Sequence, residues 1–319
     1  MARPRLLQIS SETSRPADEA QSGLLAAQAQ LSPKFFYDSL GSRLFDAITE
    51  LSEYYPTRTE AAIAAAHGVR IAEEACRHVG ERPVLVDLGA GNCAKAAALF
   101  PLLRPRRYVA VDISADYLAQ ALEQLHRAHP DIDLVGVGMD FSTRFSLPGD
   151  LVEDGALLLY PGSSIGNFDP GQALALLRQM REVAGRGALA IGVDLVKDER
   201  TLVTAYDDPL GVTAAFNLNV LCHLNRMLGT DFDVRQWRHV SLFNRGDSRI
   251  EMHLEARVPV TVRWPGGHRA FVAGERIHTE NSYKWTREGF ASLLREAGFQ
   301  SPRAWTDERE WFAVFVAGA

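Results

Sequence analysis

The densest run of residues able to do chemistry lies between positions 87 and 141. Gly89-Ala90-Gly91-Asn92-Cys93-Ala94 fits G-x-G-x-x-A, directly after the apolar run Pro83 to Leu88 and before an Ala-rich stretch. In that context glycines let the backbone approach a ligand at the start of a helix. Asp112 stands 21 residues after Gly91, at the end of the next β-branched run, where its carboxylate can accept both hydroxyls of a ribose. A nucleoside-containing cofactor follows, and so far a nicotinamide dinucleotide and S-adenosylmethionine fit equally. Asp87 separates them: a carboxylate two residues before the first glycine opposes a pyrophosphate but attracts the ammonium group of a methionine moiety. Asp140-Phe141 follows the third such run, offering an acceptor for the adenine amino group and an aromatic for its ring. Lys95, one turn into the helix, can meet the cofactor carboxylate. Taken singly, Lys95 reads as a solvated charge and Phe141 as a core aromatic; taken in chain order, the set favours the sulfonium cofactor.

These residues need a sheet to hold them. Pro83 to Leu88, Tyr108 to Asp112, Leu134 to Val137, Ala156 to Tyr160 and Ala188 to Leu195 read as buried strands, and Ala94 to Leu103, Ala115 to Ala128 and Gly171 to Val183 read as the helices between them. This alternation predicts a doubly wound parallel α/β sheet. Upstream, Leu24 to Ile71 is mainly helical, with a break at Pro56 and an Ala-rich helix from Thr59 to Cys76. After Lys197 the rhythm stops. A helix over Val212 to Leu228 and strand-like runs over Ser248 to Arg263 and Arg269 to Arg276 read as an inserted α+β region, before an amphipathic helix over Thr286 to Ala297 and a closing apolar run, Trp311 to Val316, complete the sheet. The expected division is a polar segment at 1–22, poorly ordered for most of its length, a helical segment at 23–60 and a cofactor-binding domain at 61–198. An inserted recognition domain at 199–285 and a return to the first domain at 286–319 complete it.

Composition excludes several classes. With 319 residues, 46% of them hydrophobic, the chain can bury a full core, and a net charge of −6 offers no basic patch for nucleic acid. Cys76, Cys93 and Cys222 stand far apart, so neither a disulfide framework nor a zinc ribbon is suggested, and the nine histidines lack helical ligand spacing. No metal is expected. The N-terminus lacks the apolar run of a signal peptide, and no apolar stretch would span a bilayer. A cytoplasmic, monomeric protein with a small-molecule substrate is the expectation.

Outside the glycine loop stand long, unusual strings: Phe36-Tyr37-Asp38, Tyr54-Tyr55-Pro56-Thr57-Arg58-Thr59-Glu60, Pro161 to Phe168, Gly192 to Asp198, Ala205-Tyr206-Asp207-Asp208 and Thr279-Glu280-Asn281-Ser282-Tyr283-Lys284. Through them most of the chain resembles the histidine-specific methyltransferases of ergothioneine biosynthesis, which convert L-histidine to its Nα-trimethyl betaine. The resemblance implies a Rossmann-like methyltransferase sheet with a smaller recognition domain, and cofactor contacts from Gly89, Lys95, Asp112, Asp140 and Phe141, to which the residue reading adds Asp87 and Gly91. It also implies that Asn167 and Tyr206 hold the amino-acid end of histidine, that Tyr54 lies against the substrate, and that Glu280 with Ser282 reads the imidazole. Tyr37 and Met252 are further pocket residues, and Tyr37 or Tyr206 could relay the amine's proton through water.

Without the resemblance, plainer readings stand beside these: Tyr54 and Tyr55 as a core aromatic pair, Asn167 as a turn residue, Glu280 and Ser282 as solvated loop residues, and Met252 as an inward-facing member of an Ile250, Met252, Leu254, Ala256 alternation. The Pro161-Gly162-Ser163-Ser164 and Asn281 to Lys284 strings also resemble the methyltransferase part of ovothiol-forming enzymes, which methylate an imidazole nitrogen and are normally fused to an oxidative domain. No such domain is found in this sequence, so the freestanding Nα reading is preferred. A nicotinamide oxidoreductase and a binding protein without turnover are the rivals from other classes.

Overall fold

The computed structural model describes residues 3–9, 15–153 and 155–319. In chain order the elements are β1 (Arg5–Gln8), α1 (Pro16–Leu25), α2 (Ser39–Thr49), α3 (Tyr55–Val79), β2 (Val84–Leu88), α4 (Ala94–Ala97), α5 (Phe100–Leu103), β3 (Arg107–Asp112), α6 (Ala115–Ala128) and β4 (Asp133–Gly138). They continue through β5 (Leu157–Tyr160), α7 (Pro170–Ala184), β6 (Ala188–Asp194), α8 (Glu199–Tyr206), α9 (Val212–Leu228), β7 (Trp237–Asn244) and β8 (Arg249–Ala256). Last come β9 (Val260–Trp264), β10 (Gly267–Phe271), β11 (Arg276–Tyr283), α10 (Arg287–Glu296), β12 (Gln300–Thr306) and β13 (Phe312–Gly318). Two compact units divide the chain.

The first unit comprises β1, Pro56–Val196 and Lys284–Ala319. Its eight-stranded sheet has the order β1-β4-β3-β2-β5-β6-β13-β12, parallel from β1 to β6 and antiparallel at β13 and β12. Every residue of β2 and β6 is buried, as expected of central strands covered on both faces. One face packs Val84, Val86, Val109, Val135, Leu158 and Phe315 against α7 and α10; the other packs Leu85, Tyr108, Leu159 and Phe312 against Ile63, Ile71, Leu118 and Leu122 of α3 and α6. The chain order reverses between β2 and β5, so the carboxyl ends of β2, β3 and β5 flank the crevice where open α/β sheets bind ligands.

Three local differences from the sequence reading have physical causes. Helix α3 starts at Tyr55 rather than after Pro56, because proline in the first turn forfeits no hydrogen bond. The stretch Ala94 to Leu103 is two short helices, since Pro101 lies in the first turn of α5 rather than within a continuous helix. The polar N-terminal segment is not irregular where it is described: Arg5–Gln8 is an edge strand paired with Val135–Gly138, and Pro16–Leu25 is helical. Residues 1–2 and 10–14 of that segment lie outside the described residues. A Cβ at Gly136 would lie 2.7 Å from Leu6 and 2.6 Å from Leu122, so the bare backbone of β4 admits this edge strand.

The second unit comprises α1 through Tyr55 together with Lys197–Tyr283. It is therefore not a single insertion, because helices that precede the glycine loop in sequence pack with α9. A three-stranded antiparallel sheet, β11-β8-β7, forms its centre, with the β9–β10 hairpin beside it. Strand β7 has no counterpart in the sequence reading. Trp237-Arg238-His239-Val240-Ser241-Leu242-Phe243-Asn244 mixes polar and apolar residues at both parities, so its pairing partners rather than its own pattern make it a strand.

Candidate active site

In the first unit, β2 delivers the chain into a loop where Gly89 (φ 69°) and Gly91 (φ 52°) take left-handed conformations that side chains disfavour. A Cβ built at either glycine meets nothing within 4 Å, so the loop backbone borders open space. Asp112 closes it: one carboxylate oxygen accepts from the Gly91 N–H at 2.9 Å and the other from the Ser114 N–H at 2.9 Å. Burial raises the Asp112 pKa, while these backbone donors pull it down.

Asp87 is fully buried at the end of β2. The Tyr108 hydroxyl donates to its Oδ2 at 2.7 Å, whereas its Oδ1 is buried without a partner. A buried acceptor left unmade is costly, and an ammonium group would satisfy it. Burial pushes this carboxyl up to about 7, against the lowering effects of the Tyr108 hydrogen bond and the Lys95 charge. A cofactor ammonium should therefore bind the ionised form: affinity is expected to rise with pH through about 7 and to stop rising once the ammonium itself begins to lose its proton near ~8, and Asp87→Asn should remove the rise. Equilibrium titration between pH 5.5 and 8.5 (roughly the span over which such a group changes charge) checks this, and a wild-type profile without slope would refute it.

Lys95 forms a 2.8 Å ion pair with Glu60, whose carboxylate also accepts from the Gly162 N–H at 2.9 Å. Glu60 carries no separate role in the sequence reading, yet it explains three of the unusual strings at once. A Cβ at Gly192 would lie 2.1 Å from its Oε1, and one at Gly162 would lie 3.0 Å from Lys95 Nζ. Both glycines make room for this ion pair. Asp140, after β4, accepts from the Ser142 N–H at 2.9 Å, and Phe141 packs edge-on against Tyr160 at 5.9 Å. Asn167 ends a short 3-10 turn, Ser164–Asn167, that follows β5 and is half-buried.

In the second unit the sheet assembles the other candidates. Directly opposed residues of antiparallel strands share a face, and β11 pairs Glu280 with Met252 and Ser282 with Ile250. Tyr206, at the end of α8, makes a 2.7 Å hydrogen bond with the Ser282 hydroxyl, and its ring meets Tyr54 edge-on at 6.2 Å. Its backbone is also held. The Asn217 amide donates to His239 Nδ1 at 2.8 Å, which leaves Nε2–H to donate to the Tyr206 carbonyl at 2.8 Å. Burial lowers the His239 pKa, in keeping with this neutral tautomer. Tyr37 belongs to the same aromatic chain: its ring contacts Phe45 and Phe216, and Phe45 contacts Tyr54. Phe45, Phe216 and Ser241 are given no site role in the sequence reading. Ser241 pairs with Met252 and so shares its face, and its hydroxyl is buried without a partner.

A β-bulge decides which side chains face Tyr206. His278 pairs with His253, but the register then shifts, and Glu280 pairs with Met252. Without the extra residue, Glu280 and Ser282 would fall on the opposite face, because a one-residue slip inverts a strand. Thr279 fills the bulge, fully buried, and its hydroxyl donates to the Met252 carbonyl at 3.0 Å.

Comparison with known proteins completes the picture. The profile of a family described as histidine-specific methyltransferase, SAM-dependent, matches residues 16–319. The chain belongs to this family. It is thus an S-adenosylmethionine-dependent methyltransferase acting on histidine, which removes the nicotinamide alternative. Family relatives include a histidine N-alpha-methyltransferase of Mycobacterium tuberculosis, 40% identical over 94% of this chain and 93% of that one. Its Mycolicibacterium smegmatis counterpart is 39% identical over the same shares. Ergothioneine biosynthesis protein 1 of Neurospora crassa is 29% identical over 88% of this chain and 32% of its own length. The open space at the glycine loop and the unpartnered Asp87 oxygen are compatible with the family's cofactor. Among the described residues no helix is long and apolar enough to cross a membrane.

Proposed function

We propose that this enzyme methylates the α-amine of L-histidine three times, giving the betaine hercynine, as a step of ergothioneine formation. The observation that carries the reading is the cluster of Tyr54, Tyr206, Glu280 and Ser282 on one face of the second unit, together with two relatives named histidine N-alpha-methyltransferase at 40% and 39% identity. When bound, S-adenosylmethionine supplies an electrophilic methyl carbon on a sulfonium. The protein's task is to present a neutral amine to it in line, and such positioning can contribute roughly 7–11 kcal/mol.

Within this reading Tyr206 and Asn167 hold the amino-acid end of the substrate, and Tyr54 packs against it. Glu280 accepts the imidazole N–H, while Ser282 donates to or accepts from the ring as the tautomer requires. Each transfer needs the amine to lose a proton first, since α-amino groups titrate near ~8 even in peptides. A phenol with pKa about 10 is a weak base, so Tyr37 and Tyr206 act by orienting the water that carries the proton away. Mass spectrometry of products from S-adenosylmethionine and a panel of free amino acids tests the proposal. Three successive methyl additions on histidine alone, with fragmentation placing all of them on the α-nitrogen, are expected. A single methyl on the ring would replace this reading with the ovothiol-type one.

A further inference from the structure

The face of the β7–β8–β11 sheet opposite Tyr206 carries a second constellation. Glu251 and His253 are two apart on β8 and so share that face, and His278 of β11 is the direct cross-strand partner of His253. One ligating atom from each lies within 4.8 Å of the others, and the two imidazole rings, tilted by 31°, have centroids 4.9 Å apart. Two residues at i and i+2 on one strand and a third on its neighbour present three ligands to one point from a rigid backbone. This arrangement has no signature in a sequence scan for helical or loop spacing, because the sheet register creates it.

The hydrogen bonds around the cluster leave it coordinatively unfinished. His253 Nε2 faces Glu251 Oε2 at 3.0 Å, so the tautomer that carries its proton on the buried, unpartnered Nδ1 turns a bare nitrogen and a carboxylate oxygen toward one point. His278 Nε2 donates to the Glu280 carbonyl at 3.0 Å, which leaves its Nδ1 as the bare nitrogen. Ligating histidines usually spend their other nitrogen on just such a carbonyl. Asn281, paired with Glu251 on this face, has its Oδ1 buried without a partner as well.

We propose that Glu251, His253 and His278 bind a divalent transition ion of the zinc class through two imidazole nitrogens and one carboxylate oxygen, bracing β8 against β11 beside the bulge. Two nitrogens and one oxygen suit such borderline ions, whereas calcium and magnesium require oxygen-rich shells. Around zinc, ligand atoms at bond lengths of about 2.0–2.2 Å stand about 3.3 Å apart, so binding draws the present spread of up to 4.8 Å together. Arg249 is the opposing element. Its guanidinium donates to Glu251 Oε1 at 2.8 Å, as does the Asn244 amide at 2.9 Å, so both occupy the oxygen turned from His253. The nearby positive charge makes the site weaker than the same ligands would be alone.

Titration of the tag-free enzyme with Co2+, read by calorimetry and by visible absorption, tests the assignment without relying on methyl transfer. One ion per chain is expected, with absorption typical of nitrogen ligation. His253→Gln and His278→Gln should each weaken binding at least tenfold, while His268→Gln, exposed on β10, should leave it unchanged. Should either histidine variant fail to give the wild-type far-ultraviolet dichroism, Glu251→Gln supplies the same test, because it keeps the size of the side chain and the Asn244 and Arg249 neighbours. Absence of stoichiometric binding, or binding that survives these replacements within twofold, would overturn the site. Histidine methylation would stand either way.

Discussion

Replacing Glu280 by alanine is expected to lower kcat/KM for histidine by about tenfold to a hundredfold, the equivalent of a lost hydrogen bond to a charged group at roughly 1.5–3 kcal/mol. The residue is placed for this by three features: it lies on β11 rather than a loop, the bulge at Thr279 turns it to the face of Met252, and Ser282 on that face is bonded to Tyr206. A carboxylate only accepts, so it favours a ring bearing an N–H over phenylalanine, whose ring would leave it unpaired. Glu280→Ala should therefore also narrow the preference for histidine over phenylalanine. Cofactor affinity should stay within about twofold, because the glycine loop, Asp112 and Asp87 belong to the other unit. Steady-state kinetics with both amino acids and a separate cofactor titration check the expectation. Unchanged selectivity would make Glu280 an ordinary half-buried strand carboxylate and would remove the ring-reading role from the proposal.

Lys284→Met is expected to produce the largest loss of stability among single replacements in the first unit. Lys284 and Asp194 are both fully buried, and Nζ lies 2.7 Å from Oδ2. They stand where β6 ends and where the chain returns from β11, and the adjacent backbones are tied by Trp285 N–H to the Asp194 carbonyl and Val196 N–H to the Trp285 carbonyl. Removing one partner of such a pair leaves an uncompensated buried charge, at a cost of about 3–5 kcal/mol. At roughly 2–4 °C per kcal/mol for domains of 150–250 residues, the midpoint of thermal unfolding should fall by about 6–20 °C. Removing both charges should undo most of it, since apolar replacement of a whole buried pair is often neutral. Calorimetry of Lys284→Met and of Asp194→Leu/Lys284→Met makes the comparison, and a single variant that melts like the wild type would show that the pair is dispensable.

The sequence by itself determined the parts built from neighbours along the chain. Five buried strands and the helices between them were legible because burial on both faces of a parallel sheet requires continuous apolar runs, and because helix α6, with its 3.6-residue period, is written locally over Ala115 to Ala128. The glycine loop and Asp112 were legible for the same reason: a left-handed turn demands glycine wherever it occurs, and the carboxylate that accepts from the Gly91 N–H ends the next strand. The long strings that carried the family resemblance were visible too, but the physical reasons for some of them were not. Glu60, Gly162 and Gly192 are far apart in sequence, and their dependence on one another exists only once Lys95 and Glu60 meet beside β5 and β6. Likewise Asp194 and Lys284 are two unremarkable charges until the fold buries them against each other. Strand β7, the edge strand β1 and the helices contributed to the second unit from before the glycine loop were decided by partners rather than by their own patterns. Most consequential is the bulge at Thr279. Alternation along Arg276 to Tyr283 would place Glu280 and Ser282 on the side of His253, whereas one extra residue in the ladder turns them toward Tyr206. Which face a side chain occupies is a property of the pairing between strands, and that pairing is fixed by the whole sheet and the groups packed on it.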